Sequence, residues 1–168
     1  TMEARLDDGW PCWALGNHDV TRLATRWNAE QDAAALRLYM AFLLTQRGSI
    51  CLYQGEELGL GEVTLDFDSL VQEDDPASLL NAYRAFLAFR RHHPALVEGE
   101  VVHHPVRDGV MRLERRHDDE RLLVALNFTD EPRTLPAPTT ITPLDDAPSC
   151  VNGRWEAGSV TLAARGIA

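Results

Sequence analysis

Gly16-Asn17-His18-Asp19, with Arg22 three residues on, brings an amide, an imidazole, a carboxylate and a guanidinium into one short stretch of chain. Two chemistries use such a set. In a phosphoesterase-like site, Asn and His ligate a cation. In a sugar site, His and Asp grip the ring hydroxyls, and the carboxylate favours the positive charge of an oxocarbenium-like transition state. A dinuclear metal site wants several carboxylates and histidines from separate loops, because each cation needs a near-full shell. Before Asn17 the only acids are Glu3, Asp7 and Asp8, and there is no histidine. After Asp19 the next histidines are His92 and His93, at the end of a predicted helix. His103 and His104 follow on a predicted strand, where consecutive side chains face opposite ways. The chain does not supply the ligands, so no metal and no cofactor are expected. The plain alternative to a sugar site is that His18 and Asp19 only hydrogen-bond at a strand end.

Composition bounds the rest. The chain has 168 residues, enough for one domain or two small ones, and 45% hydrophobic content, enough for a core. Its net charge of -10 repels nucleic acid and anionic lipid, so neither is an expected partner. No apolar run of 18 residues and no signal peptide is seen, which an internal fragment would lack as well; this leaves both a cytoplasmic and a periplasmic location open. The three cysteines, Cys12, Cys51 and Cys150, match no metal spacing and are expected as isolated, mostly buried thiols.

The elements that must position Asn17–Asp19 are legible as runs and periods. Cys12-Trp13-Ala14-Leu15 is a short apolar run suited to a buried strand, ending at Gly16. A helix follows, with Asn28 as expected cap and Gln31 completing a capping box. Leu36, Tyr39, Met40, Leu43 and Leu44 make its apolar stripe, and Gly48 stops it. Ile50-Cys51-Leu52-Tyr53 reads as a second buried strand, with Gln54-Gly55-Glu56-Glu57 at its tip. Strand, polar tip, helix, strand, polar tip predicts a parallel pair with both tips at the carboxyl ends, where α/β folds place ligands. Asp75 is expected to cap a further helix with Pro76 at its first position, Arg90 and Arg91 at its negative end and Pro94 closing it. Tyr83, Phe86 and Phe89 are its packing stripe, not a sugar platform. From Leu96 the period changes to two, and Asp108-Gly109, Asp118-Asp119 and Asn152-Gly153 are predicted turns of a small antiparallel sandwich.

Four stretches, in order, carry a family resemblance. Trp13-Ala-Leu-Gly-Asn-His-Asp-Val-Thr-Arg22 resembles the fourth conserved region of glycoside hydrolase family thirteen, the α-amylase family, in its α-glucosidase branch. Gly48-Ser-Ile-Cys-Leu-Tyr-Gln-Gly-Glu-Glu-Leu-Gly59 resembles that family's eighth barrel strand and loop. Asp75 to Leu96 resembles its eighth helix, and Val124-Ala-Leu-Asn-Phe128 its domain C core strand. The resemblance implies an α/β fold: the last two β/α units of a (β/α)8 TIM barrel at residues 1–94, then a small antiparallel β-sandwich, domain C, at 95–168. It makes Asp19 the third acidic residue of a retaining α-glucosidase. There Asp19 is a transition-state stabiliser holding the C2 and C3 hydroxyls, His18 binds the same ring, and Arg22 holds carboxylates in orientation. The implied substrates are small α-glucosides or oligosaccharides, with hydrolysis or transglucosylation as the outcome.

The same resemblance implies a partner. The nucleophilic Asp and acid/base Glu follow strands four and five, and Glu3, Asp7 and Asp8 match neither motif. The remainder of the same polypeptide is expected to supply both. Leu70-Val71 joins two family-like stretches without the long excursion usual there, so a loop is expected to be missing near that point. Glu56 and Glu57 are expected to shape the loop behind the site, with Tyr53 in the core or at its rim. The reading from another class is a non-catalytic structural or interaction subunit.

Overall fold

The structure is a computed structural model that describes residues 9–62, 75–156 and 158–168. Strand β1 (Cys12–Trp13) pairs in parallel with β2 (Ser49–Ile50), in the register Cys12↔Ser49 and Trp13↔Ile50. The amides of Ser49 and Cys51 donate to Pro11 O and Trp13 O, both at 2.8 Å. Helices α1 (Leu23–Arg26) and α2 (Ala33–Leu44) form the crossover, as the strand–helix–strand pattern predicts.

Both strands are shorter than the apolar runs suggested, and they are not buried on both faces. Cys12, Ala14 and Cys51 are exposed, while Trp13, Leu15, Ile50 and Leu52 turn inward. The period-two pleat sends alternate side chains to opposite faces, and here only one face meets the helices. This corrects the expectation for the thiols: Cys12 and Cys51 are exposed and only Cys150 is partly buried.

Helix α2 begins at Asp32, whose carboxylate accepts from the amide of Ala35 at 2.9 Å. Asn28, the expected cap, sits instead at φ 51° after α1, a left-handed position that Asn tolerates, so the predicted capping box does not form. Leu36, Tyr39, Met40, Leu43 and Leu44 are buried, and so are Leu38 and Ala41. Burial on most sides follows from the position of α2, which packs on helix α3 (Leu79–His92) and on the antiparallel sheet as well as on β1 and β2. Gly48 ends this unit at φ 107°, and a Cβ there would collide with Pro11 O, the acceptor of the β-ladder. Gly48→Ala is therefore expected to cost at least about 2 kcal/mol, from the positive φ and the collision together, measured by urea denaturation of the full-length protein.

Helix α3 is capped by Ser78, which accepts from the amide of Asn81 at 3.1 Å, and not by Asp75. Asp75 and Pro76 make a separate turn just before, with Asp75 accepting from Ala77 N and Ser78 N. Tyr83 and Phe86 are buried against α2, and Phe89 lies edge-on to Phe86. After the break at His93, Pro94 starts a short helix, α4 (Pro94–Val97).

Arg90 does not serve the end of its own helix. Its buried guanidinium donates to Leu44 O, Gln46 O, Gly48 O and Leu96 O at 2.6–2.9 Å. These include the orphan carbonyls at the carboxyl end of α2, where the helix dipole is negative. Arg115, fully buried on the antiparallel sheet, donates to Thr45 O, Leu96 O and Gly99 O at 2.5–2.9 Å. Two cations from different elements thus converge on one helix end.

Among the described residues the antiparallel part has two three-stranded sheets. The first holds β3 (Glu100–His103), β4 (Val110–His117) and β5 (Glu120–Asn127), in that order. The second holds β6 (Arg133–Pro136), β7 (Arg154–Glu156) and β8 (Ser159–Leu162), with β8 central. Asp108 and Gly109 stand at φ 51° and 74°, as a type I′ turn requires, and Asp118 turns β4 into β5 at φ 49°. Asn152-Gly153 is not a hairpin turn. Both amides donate to Ile167 O at 2.9 Å, and a Cβ on Gly153 would strike Ala168. That glycine permits close packing, and the turn between β7 and β8 uses Gly158 at φ 84° instead. The first sheet is buried on two sides: Leu113, Val124 and Leu126 join the helices, while Val110 and Ala125 join Leu135, Val160 and Leu162 of the second sheet. No closed barrel forms among the described residues.

Candidate functional site

Parallel pairing places two loops at the carboxyl ends of β1 and β2. The first, Asn17 to Thr21, is exposed. Asn17 Oδ1 accepts from the amide of Asp19 at 2.8 Å, an Asx turn that folds the loop on itself. His18 Nε2 lies 3.4 Å from Asp19 Oδ1, with the two side chains 81% and 76% exposed. So exposed a pair contributes little to stability. The structure gives these two groups no packing role, and they stand open to solvent at the strand tip.

Arg22 joins the first loop to the second. Its Nη1 donates to Gln54 O at 2.8 Å, and its guanidinium lies 5.0 Å from the centre of the half-buried Tyr53 ring. Its amide donates to Glu62 Oε2 at 2.8 Å. The side-chain hydrogen bond of Arg22 thus goes to the backbone of the β2 loop and not to Asp19. Arg26, one turn on, donates to Leu15 O at the end of β1 and stacks on Trp27.

The second loop is a 3-10 turn, Glu56–Leu58, set between Gly55 at φ 93° and Gly59 at φ 71°. Glu57 Oε2 closes it by accepting from Gly55 N at 2.9 Å. Glu56 points inward and is 5% exposed. Its Oε2 accepts from Tyr53 N at 3.3 Å, while its buried Oε1 has no hydrogen-bond partner among the described residues. Burial pushes this carboxyl above the usual range; the Tyr53 amide pulls it back, as do Arg26 and Arg22, and Glu57 pushes it further up. Burial also raises the Tyr83 hydroxyl strongly, helped by the charges of Glu56 and Glu57. Two acids in sequence look alike; that one is buried and the other only half-buried is what the sequence did not signal.

No group of three or more metal-ligating side chains occurs among the described residues. His93 instead meets Glu120 at 2.5 Å through Nδ1 and Asp146 at 3.1 Å through Nε2. A cavity of about 580 Å³ lies over the antiparallel sheets, lined by Phe89, His104, Leu123 and Trp155 among others, and takes no residue from either loop. No described helix is long and apolar enough to cross a membrane. Glu3, Asp7, Asp8 and the junction Leu70-Val71 lie outside the described residues.

The profile of the α-amylase catalytic domain matches residues 1–75. The chain has an amylase/glucosidase catalytic fold of the type found in glycoside hydrolase family thirteen, and this homology supports membership in that enzyme family. It is 32% identical over 185 aligned positions to a probable α-glucosidase of Rhizobium meliloti, covering 78% of this chain and 33% of the relative. It is 32% identical to the α-glucosyl transfer enzyme XgtA, with a TM-score of 0.88 over 99% of this chain and 41% of that one. The isomaltulose synthase of a Klebsiella species shares the fold at 20% identity, with a TM-score of 0.76 over 96% of this chain and 42% of that one. The chain therefore spans about a third of the length of the curated relative. The 185 aligned positions exceed its 168 residues, so that relative carries residues within the aligned span that this chain lacks.

Proposed function

We propose that this chain is the C-terminal part of a retaining α-glucosidase, acting on small α-glucosides or oligosaccharides by hydrolysis or by transfer of glucose to an alcohol. Residues 1–94 are the last two β/α units of a (β/α)8 barrel, less a loop near Leu70-Val71, and residues 95–168 are domain C. One observation carries the reading: His18 and Asp19 stand exposed at the carboxyl end of β1, beside the loop after β2. The similarity to a probable α-glucosidase and to an α-glucosyl transfer enzyme supports the same assignment.

In this reading the rest of the polypeptide brings the nucleophilic Asp and the acid/base Glu, about 5 Å apart as retention demands. The nucleophile attacks the anomeric carbon while the acid protonates the departing oxygen. Asp19 holds the C2 and C3 hydroxyls, whose hydrogen bonds strengthen as the ring flattens and becomes positive. An exposed carboxylate at a strand tip becomes a desolvated one once the sugar covers it, and its field on the developing charge is then strongest. His18 binds the same ring. Arg22 keeps the two loops in register, so that Asp19 keeps its place as the sugar enters.

Two measurements test this on the full-length protein. Maltose and p-nitrophenyl α-glucoside should both be cleaved, with α-glucose as the first anomer seen by NMR. Release of the β anomer would contradict retention, and no turnover of any α-glucoside would remove the assignment. Arg22→Lys should lower kcat/KM about tenfold, because an ammonium does not reproduce a planar group that both stacks on Tyr53 and reaches Gln54 O.

A further inference from the structure

Glu56 is the buried acid that the proposed reaction leaves unused. It starts the turn after β2, yet its carboxyl reaches back beneath the other loop. A Cβ built on Gly16 would lie 2.5 Å from Glu56 Oε1 and 3.6 Å from its Cδ. Gly16 is the residue directly before Asn17, so the carboxyl rests on the hinge between β1 and the loop that carries His18 and Asp19. The contact needs glycine: any side chain at residue 16 would displace the carboxyl. On its other oxygen Glu56 accepts from Tyr53 N, which ties it to the end of β2. One side chain thus touches both strand tips.

Several charged or polar groups act on this carboxyl. Arg22 and Arg26 come from the first crossover, Glu57 from the same turn and Tyr83 from α3. A polar atom buried without a partner is costly, and is kept where a local arrangement depends on it.

We propose that Glu56 is a positioning residue of the site: seated on Gly16 and tied to Tyr53 N, its carboxyl fixes the loop that presents His18 and Asp19. This deepens the α-glucosidase reading and rests on it for its effect on turnover. A misplacement of about 1 Å at a reacting centre can cost about a hundredfold in rate, so a buried prop under Gly16 reaches kcat without touching substrate.

Burial of the Glu56 carboxyl favours its neutral form. The folded state holds the Glu56 proton more tightly than the unfolded chain, whose value is near 4.5. Its stabilising contribution is therefore present below that value and is lost as pH rises through the higher folded value. Gln has the shape of the neutral acid and does not ionise.

The test uses the full-length protein with Glu56→Gln and Glu56→Ala, p-nitrophenyl α-glucoside as the probe, and hydrogen exchange of the peptide covering residues 14–20. Glu56→Ala should lower kcat at least about tenfold with a smaller change in KM, and speed exchange in that peptide at least about tenfold over the rest of the chain. Glu56→Gln should keep kcat within about threefold, because the amide keeps the shape of the carboxyl seated on Gly16. Native kcat and native local exchange in Glu56→Ala would overturn the proposal. So would faster exchange spread evenly over the whole chain, which marks a general loss of packing. If the native protein cleaves no α-glucoside, the functional reading fails and the exchange of residues 14–20 alone decides whether Glu56 holds the loop.

Discussion

Asp19→Asn in the full-length protein is expected to lower turnover of α-glucosides at least about a hundredfold, with little change in melting temperature. The size follows from what the substitution removes. Asn keeps the shape and one acceptor but loses the charge, and removing a single group aimed at transition-state charge typically costs two to three orders of magnitude. The small effect on stability follows from exposure: Asp19 is 76% exposed, and its contact with His18 is a solvent-screened one at 3.4 Å. Turnover by stopped assay and melting by calorimetry on the same sample separate the two. An unchanged rate would take Asp19 out of the site. A lost rate with a collapsed melting temperature would mean that the loop, not the charge, was removed.

Arg90→Met is the stability counterpart. Methionine fills much of the same volume but donates nothing, so Leu44 O, Gln46 O and Gly48 O lose the donor that Arg90 supplies. Leu96 O keeps Arg115. Leaving buried acceptors unsatisfied costs about 1–3 kcal/mol each at first, with partial relaxation, so a loss of about 3–5 kcal/mol is expected in urea denaturation. Arg90→Lys should not rescue it, because one ammonium does not reach a fan of carbonyls along the end of α2. The double variant with Arg115→Met should be non-additive, since both guanidiniums share Leu96 O. Additive losses would show that the two cations act independently.

Arg90 also shows why parts of the fold were not legible in the sequence. At the end of an amphipathic helix, a pair of arginines has an obvious use, the helix's own negative end. The structure uses Arg90 on the end of another helix more than forty residues earlier in the chain, a partner that no local pattern announces. The caps failed differently. Asn28 and Asp75 are good cap residues, but Asp32 and Ser78 lie closer to the first buried residues, Ala35 and Leu79, and tertiary packing chose the start. At Asn152-Gly153 a hairpin signature was answered by close packing, because Gly153 lies against Ala168. Asp108-Gly109 does form the turn its sequence predicts, since a two-residue turn with two left-handed positions is a local requirement.

The candidate site divides in the same way. That His18, Asp19 and Arg22 fall together just after a strand is legible in the sequence; their proposed roles at a sugar rest on the family resemblance. The place of Glu56 was not legible, because nothing next to it in sequence distinguishes it from Glu57.

What the sequence determined by itself was local: which runs alternate, where two-residue turns fall, and which short polar stretch follows a strand. Each depends on backbone geometry within a few residues. Only the tertiary structure decided which face of β1 and β2 is covered, that Arg22 binds across to Gln54 O, and that Glu56 lies under Gly16. Each depends on segments roughly thirty or more residues apart coming together, and burial, which sets the strength of a charge and the cost of an unpaired atom, exists only after they have.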